Sequence, residues 1–189
     1  MLLLVGLGNP GSNYTNTRHN IGFKIIDAIN AHFKLSKQKP KFKGLLTTGN
    51  IEEKKIYAIK PLTFMNNSGT AIKELIDYFK IDAKDVIVFH DDMDIDFGKI
   101  KTKFGGTSAG HNGIESIDKF IGKDYSRVRI GIGHPKQKKK VNNHVLEDFK
   151  EDEEEKIKEI TENIVKQIPT LIDKKIDLLS SKVNQNLNG

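Results

Sequence analysis

The spacing of apolar residues changes several times along the chain, and each change predicts a new element. Residues 2–8 form an unbroken apolar run that ends at Asn9-Pro10-Gly11, a pattern typical of a buried strand leading into a turn. From Gly22 to Phe33 apolar side chains recur every three or four positions, which predicts a helix after the polar loop of residues 12–20. A strand, a loop and a helix therefore open the chain.

The rest of the chain continues this alternation. β-rich runs at residues 45–51 and 55–60 predict a hairpin at the edge of a sheet, and an apolar stripe over residues 72–79 predicts a helix with Asn67 or Ser68 as its N-cap. The other predicted elements are strands at residues 86–89, 99–104 and 128–132, a helix at 114–121, and two helices after the basic loop 135–140, separated near Pro169.

Strands that alternate with helices favour an open sheet covered by helices. The chain has 189 residues, of which 37% are apolar, and this suits one compact core. We therefore predict a single α/β domain over residues 1–189. It contains a mixed, mostly parallel, twisted β-sheet that is surrounded by helices and followed by C-terminal helices.

The composition excludes several classes of protein. The chain has no Cys, so it has neither a disulfide framework nor a thiolate zinc site nor a cysteine nucleophile, as is typical of a reducing compartment. No apolar stretch approaches 20 residues, and the opening run lacks a charged leader. We therefore expect a soluble, cytoplasmic protein that does not bind a membrane.

Charge is distributed unevenly along the chain. Residues 1–146 carry 24 basic and 14 acidic side chains, whereas the following 43 residues carry 7 and 11. A basic body attracts phosphate and suggests a polyanionic partner, although a Lys-rich solvated surface would have the same composition. The acidic run of residues 151–155 begins a predicted helix, where the macrodipole favours negative charge, and we assign it no chemistry.

Two glycine-containing segments match known motifs only in part. Gly6 to Gly11 fits the G-x-G-x-x-G dinucleotide fingerprint, but Pro10 removes a backbone donor and no helix opens within the glycines, which argues against NAD. Residues 106–110 fit the G-x-S-x-G nucleophile elbow of serine hydrolases, with Ser108 as nucleophile. Only 81 residues remain after Ser108 for the acid and the His of a triad, which argues against a serine hydrolase.

The acidic segment that follows the strand at residues 86–89 also resembles a metal site. Asp92, Asp94 and Asp96 have the spacing of a calcium loop, but Phe97 and Lys103 stand where that loop needs Gly and Glu. His90 and Asp91 point to opposite faces of a strand, so one of the two is expected to be structural. We predict no metal and no other cofactor.

Polar side chains that remain after these exclusions gather at predicted strand ends and turns. A His beside a carboxylate and several amides suits activation of water, because the acid fixes the imidazole tautomer and the amides orient a carbonyl. The members of this set are Asn9, Tyr14, His19, Asn20, Asn66, Asp91, His111 and Asn112. His111 could be structural or could belong to the site. Asn112 could cap a helix or could contact the ester.

Six ordered blocks closely resemble bacterial-type peptidyl-tRNA hydrolases and span nearly the entire chain. They are Val5-Gly6-Leu7-Gly8-Asn9-Pro10-Gly11, Thr17-Arg18-His19-Asn20-Ile21-Gly22, residues 61–69, His90-Asp91-Asp92-Met93-Asp94, Gly110-His111-Asn112-Gly113 and residues 127–135. The resemblance implies a phosphorylase/hydrolase-like α/β fold in a cytoplasmic monomer without a metal. It also implies hydrolysis of the ester between a peptide and the 3′ ribose of tRNA, which returns tRNA to translation.

The same resemblance implies roles for individual residues. His19 matches the catalytic base and Asp91 the acid that supports it. Asn9, Asn66 and Asn112 match positions that line the peptide and ester site, and we place Asn9 and Asn112 among the catalytic residues as well. Positions matching contacts to the acceptor stem and 3′ end of tRNA are Tyr14, Phe64, Lys103 and Arg129, and we add Met65, Asn20 and His111 to the substrate-binding set. The acidic density of residues 147–155 departs from the family pattern and makes the tail unsuited to tRNA.

Two other functions compete with this one. A non-catalytic RNA-binding module on the same scaffold would not need His19, Asp91 and Asn112. A serine hydrolase would use Ser108 and would react with a fluorophosphonate probe.

Overall fold

The computed structural model describes residues 1–135 and 141–188, so most of the predicted basic loop lies outside the described residues. The strands are β1 (Leu2–Gly6), β2 (Lys39–Lys41), β3 (Gly44–Ile51), β4 (Lys54–Pro61), β5 (Val86–Asp92), β6 (Ile100–Phe104) and β7 (Ser126–Gly131). The helices are α1 (Ile21–His32), α2 (Ser68–Phe79), α3 (Asn112–Ile121), α4 (Val141–Leu146), α5 (Glu151–Ile172) and α6 (Ile176–Asn188). None of these helices is long and apolar enough to cross a membrane.

The strands of the described residues form one seven-stranded mixed sheet in the order β2-β3-β4-β1-β5-β7-β6. The four central strands β4, β1, β5 and β7 run parallel, and the outer strands β2, β3 and β6 pair antiparallel to their neighbours. The predicted α/β class and its mixed, mostly parallel sheet are therefore confirmed. Because the central strands are parallel, their carboxyl ends meet at one edge of the sheet.

Apolar side chains of β1 alternate between the two faces of the sheet and join two separate cores. Leu2 and Leu4 pack in the layer formed with α1, α5 and α6, while Leu3 and Val5 pack in the layer beside α2 and α3. All of them are buried. This burial on both faces explains why the strand is a continuous apolar run in the sequence.

Two local predictions were wrong. The hairpin of β3 and β4 does not form the edge of the sheet, because β2 pairs with β3 outside it. The C-terminal helices are not separated near Pro169, which lies inside α5, since Ile168 and Leu171 on either side are buried in the core. Of the two roles left open for Asn112, the helix cap belongs to another residue, because the side chain that caps α3 is that of His111.

A glycine seam brings α1 against the centre of the sheet. Gly6 at the end of β1 and Gly22 in the first turn of α1 face each other, and a Cβ on Gly22 would collide with the backbone of Leu7 and Phe89. Gly8 of the apparent dinucleotide fingerprint lies against the ring of Phe23. The glycines of this segment therefore allow close packing of a helix on the sheet rather than approach of a pyrophosphate.

We predict that Gly22→Ala lowers the free energy of unfolding by about 1–3 kcal/mol, because backbone atoms cannot give way to a Cβ as a flexible side chain can. The control is His32→Ala on the exposed end of the same helix, for which we expect a change within about 0.5 kcal/mol. Urea unfolding measures both. Equal stabilities of the two variants would contradict the backbone contact at Gly22.

Candidate active site

The predicted polar residues converge at the carboxyl edge of the central strands. Asn9 follows β1, Met65 follows β4, and Asp91 lies near the end of β5. His19 arrives from a different direction, in the 3₁₀ turn Arg18–Asn20 that leads into α1. Because the glycine seam holds α1 on β1 and β5, His19 and Asp91 meet although they are 72 residues apart.

His19 and Asp91 form a buried pair. The Nδ1 atom of His19 lies 2.9 Å from both carboxylate oxygens of Asp91, and the two residues are 7% and 1% exposed. Burial alone would lower the pKa of His19, but the charge of Asp91 and its hydrogen bond outweigh that cost, so the pKa of His19 lies above its ordinary value. The carboxylate accepts the Nδ1 proton, which leaves Nε2 of His19 as the basic atom.

Asp91 is shared with a second imidazole, that of His111. The Nε2 atom of His111 lies 2.9 Å from Asp91 Oδ1, while its Nδ1 accepts the backbone N–H groups of Gly113 and Ile114 at 3.1 and 3.3 Å. Because Nδ1 accepts, the ring proton is on Nε2 and is donated to Asp91. His111 thus caps α3 and supports the carboxylate at once, which resolves the alternative that the sequence left open.

The ionisation of Asp91 follows from these contacts. Burial would raise the pKa of this carboxyl, but the charges of His19 and His111 and their hydrogen bonds hold it well below its usual range. Three ligand atoms of His19, Asp91 and His111 lie within 4.8 Å of one another, as a metal site would require. Both ring nitrogens that face Asp91 carry protons, however, so this arrangement donates hydrogen bonds and does not suit a metal.

His90 is the structural member of the His90-Asp91 pair. It is 2% exposed, and its Nδ1 donates to the backbone oxygen of Asp91 at 2.8 Å. Burial, together with nearby His111, lowers the pKa of His90 well below its ordinary value, so the ring stays neutral. Its ring lies edge-on to that of His111, with 4.9 Å between the centroids.

Asn9 presents an oriented amide to the same cleft. Its Oδ1 accepts the backbone N–H of Met65 at 2.8 Å, which fixes the direction of the amide and leaves Nδ2 as a donor. Asn20 holds the backbone of Asn9: Asn20 Oδ1 accepts the backbone N–H of Asn9, and Asn20 Nδ2 donates to the backbone oxygen of Asn9, both at 2.9 Å. Asn20 was predicted to bind substrate; in the structure it is 2% exposed, and its amide bonds to the backbone of Asn9 and accepts from Thr17 Oγ1 at 3.4 Å.

Two cavities flank His19. One of about 210 Å³ is lined by Asp91, His111 and the loop before α3, and the other of about 430 Å³ is lined by Asn9, Phe64, Met65 and Asn66. His19, Asn112, Asn142 and Val145 line both. Asn142 and Val145 belong to α4, which was not predicted from the sequence because six residues are too few to establish a helical period.

Of the predicted tRNA contacts, Phe64 lines the larger cavity, whereas Tyr14, Lys103 and Arg129 lie outside both cavities. Tyr14 and Phe64 pair edge to face with 6.3 Å between centroids, and Phe64 is 52% exposed. Lys103 on β6 and Arg129 on β7 are on the same face of adjacent strands, two positions apart in register. Arg129 Nε donates to Asp92 Oδ2 at 2.8 Å, which holds its guanidinium against the sheet.

Ser108 lacks the partner that a serine nucleophile needs. Its Oγ donates to Glu115 at 3.2 Å and accepts the N–H of Gly110. The nearby imidazole of His111 has both nitrogens engaged, one with Asp91 and the other with the start of α3. The geometry therefore argues against a serine hydrolase mechanism.

Comparison with known proteins agrees with this arrangement. The family model "Peptidyl-tRNA hydrolase" matches residues 3–188. A peptidyl-tRNA hydrolase of Pelagibacter ubique is 72% identical over 184 residues, covering 97% of this chain and 99% of its own, and that of Bartonella henselae is 45% identical over 189 residues, covering 100% and 98%. The crystal structure of the Acinetobacter baumannii enzyme superposes with a TM-score of 0.91 at 34% identity, covering 97% of this chain and 94% of that one. The chain belongs to the peptidyl-tRNA hydrolase family, a family of carboxylic ester hydrolases that release peptide and tRNA from peptidyl-tRNA.

Proposed function

We propose that this chain hydrolyses the ester between a peptide and the 3′ ribose of tRNA, with His19 as the general base that activates water. The observation that carries the proposal is the buried contact between His19 Nδ1 and Asp91, which leaves Nε2 unprotonated beside the two cavities. Nε2 takes a proton from water as the water oxygen attacks the ester carbonyl. Collapse of the tetrahedral intermediate then returns a proton to the ribose oxygen, which leaves as free tRNA.

The developing negative charge on the carbonyl oxygen needs a donor. We assign this role to Asn9 Nδ2, since the hydrogen bond from Met65 N–H fixes the amide in advance and no reorganisation is needed during the reaction. Asn112 lies in the first turn of α3 and lines both cavities, so its amide reaches the same region. Donors of this kind contribute roughly 10²- to 10³-fold each to the rate.

The two cavities accommodate the two halves of the substrate. With the ester at His19, we assign the nucleotide end to the cavity lined by Phe64 and the peptide to the cavity beside His111. Asn66, which the resemblance matched to the peptide and ester site, lines the cavity of Phe64 and is reassigned to the nucleotide side. An exposed aromatic ring can stack on a terminal base of any identity. Lys103 and Arg129 then hold phosphates of the acceptor stem.

The backbone conformation of Phe64 supports the assignment of this residue to the binding of the nucleotide end. Its φ of 59° and ψ of 159° lie in a region that side chains other than Gly rarely adopt, at a cost of about 1–3 kcal/mol. Met65, the next residue, is held by Asn9, so the strained turn is fixed by the same amide that faces the ester. A strained residue with an exposed ring is typical of a binding position.

The chain is proposed to act as a monomer in the cytoplasm. His19, Asp91, His111 and Asn9 all come from one copy, so the site is complete without a second subunit. Peptidyl-tRNA arises from ribosomes that release unfinished chains, and this substrate supports a cytoplasmic location.

We predict that His19→Ala lowers kcat for release of N-acetylamino acid from N-acetylaminoacyl-tRNA by roughly 10²- to 10⁴-fold, while KM changes little, because the base acts only in the chemical step. Ser108→Ala is the matched control and should keep full activity. Unchanged turnover in His19→Ala would remove His19 from this role, and labelling of Ser108 by a fluorophosphonate probe would favour the serine mechanism. Binding of tRNA without any hydrolysis by the wild-type protein would favour the RNA-binding module.

We also predict that Phe64→Ala and Phe64→Gly both raise KM, since each removes a stacking partner worth about 1–3 kcal/mol per base. Phe64→Gly should nevertheless be the more stable variant by about 1 kcal/mol, because only Gly adopts this φ without strain. Steady-state kinetics and urea unfolding separate the two effects. A Gly variant less stable than the Ala variant would show that the backbone at this position is not strained.

If Lys103 binds a phosphate, the dependence of KM on salt concentration should be weaker without it. The slope of log KM against log salt concentration should fall by about 1 in Lys103→Gln, because one phosphate is then no longer neutralised by the protein. Lys166→Gln is the control and should leave the slope unchanged, because exposed Lys166 belongs to α5, which packs on the face of the sheet that holds Ile100, whereas Lys103 lies three positions further along β6 and so on the other face. A slope that is the same in both variants and the wild type would exclude Lys103 from phosphate binding.

A further inference from the structure

Arg18, the residue before His19, reaches from the catalytic turn to the segment that follows α4. Its side chain is only 3% exposed, and its Nη1 donates to the backbone oxygens of His144 at 3.3 Å and Glu147 at 3.4 Å. The backbone N–H of Arg18 also donates to Glu147 oxygen, at 3.0 Å. One residue of the catalytic turn therefore holds the C-terminal end of α4 through three hydrogen bonds.

The buried charge of Arg18 is balanced by the acidic run. Glu153, in the first turn of α5, accepts from Arg18 Nη2 at 3.0 Å through Oε2, and the same oxygen accepts the N–H of Lys150 at 2.7 Å. The carboxylate of Glu147 lies 3.6 Å from Nη1. Separation of a buried guanidinium from its carboxylate partner leaves an unpaired buried charge, which is costly. The contacts between Arg18 and the glutamates therefore resist displacement of either side. At least two acidic residues of this region thus have a specific partner beyond the helix dipole.

The element that Arg18 holds is one wall of the cleft. Asn142 and Val145 of α4 line both cavities beside His19. A helix of six residues is too short to be stable alone, so its position depends on its anchors. The second anchor is His144, whose Nε2 lies 3.1 Å from the backbone oxygen of Ile132 after β7.

We infer that Arg18 is a positioning residue for substrate binding: it fixes α4 against the catalytic turn, so that Asn142 and Val145 keep their places around the ester. The inference rests on the proposed function and extends it to a residue outside the reacting groups. His19 itself is held by Asp91 and by the glycine seam, neither of which involves α4. Removal of the Arg18 hydrogen bonds should therefore weaken binding far more than it slows chemistry.

The test compares Arg18→Met, which removes the donors but keeps apolar bulk, with Arg18→Lys and with Lys24→Met. Lys24 is a matched control, because it pairs with Glu154 in the same turn of α5 at 3.1 Å and lies over the same Phe149 ring. Arg18 also bonds to His144 of α4, whereas the hydrogen bonds of Lys24 go to Glu154. For N-acetylaminoacyl-tRNA we expect a roughly tenfold rise of KM in Arg18→Met with kcat within about twofold. Arg18→Lys should be intermediate and Lys24→Met unchanged.

A second arm distinguishes positioning from general loss of stability. Val145→Ala should raise KM in the wild type but add little in Arg18→Met, because the wall has already moved. Hydrogen exchange of the amides of residues 144–147 should accelerate in Arg18→Met and not in Lys24→Met. Additive KM effects, or unchanged exchange at these amides, would overturn the inference.

Failure of the inference about Arg18 and failure of the proposed function give different results. If Arg18→Met does not fold, Arg18→Lys carries the exchange measurement, since it keeps the charge that faces Glu153 but loses the planar guanidinium that donates to the backbone oxygens of His144 and Glu147. Faster exchange at residues 144–147 is expected, and unchanged exchange would overturn the inference. Failure of the wild-type protein to hydrolyse N-acetylaminoacyl-tRNA would contradict the proposed function. The exchange measurement would still decide whether Arg18 holds α4.

Discussion

The close approach of α1 to the sheet is the constraint on which the site depends. At Gly22 there is no room for even one Cβ against the backbone of β1 and β5, and this contact sets the position of everything around it. His19 precedes Gly22 by three residues, and Asp91 follows Phe89 by two, so backbone packing of helix on strand delivers the imidazole to the carboxylate. A looser seam would separate two groups whose chemistry requires hydrogen-bond contact.

Once this contact is made, Asp91 organises the rest of the site. It is buried, ionised and shared between two imidazoles whose outer nitrogens differ in character. The outer nitrogen of His111 is occupied by the start of α3, whereas that of His19 faces the cleft. Two histidines that contact the same carboxylate therefore have different roles: His111 is a fixed support and His19 is the reactive base. The difference comes from the start of α3, which occupies the second nitrogen of His111.

Much of this could be predicted from the sequence, and the exceptions have physical reasons. Continuous or alternating apolar runs identified β1, β3, β4 and β5, and polar residues at their ends indicated the site. β2 escaped because Lys39-Pro40-Lys41 is fully exposed and has no apolar face. The side-chain cap of α3 by His111 and the support of Asn9 by Asn20 depend on particular hydrogen bonds, which leave no period in the sequence.

The acidic run of residues 151–155 is a second case in which a contact could not be predicted from the sequence. Composition explained residues 151–155 through the helix dipole, and that explanation holds for the helix terminus. It gave no indication that Glu153 would meet Arg18, because the two residues are 135 positions apart. Pairing over such a distance is visible only after the chain has folded.

The polarisation of His19 by Asp91 is tested most directly by an NMR titration of the His19 imidazole in the wild type and in Asp91→Asn, together with the pH dependence of kcat/KM. We expect a wild-type pKa above the ordinary 6.5, a proton on Nδ1 when the ring is neutral, and an acid limb of kcat/KM at the same pKa. In Asp91→Asn the pKa should fall, because the charge that raised it is gone, and the limb should move with it to lower pH. A His19 pKa that is the same in both proteins, or a limb that does not follow it, would contradict the claim that Asp91 polarises His19 as the base.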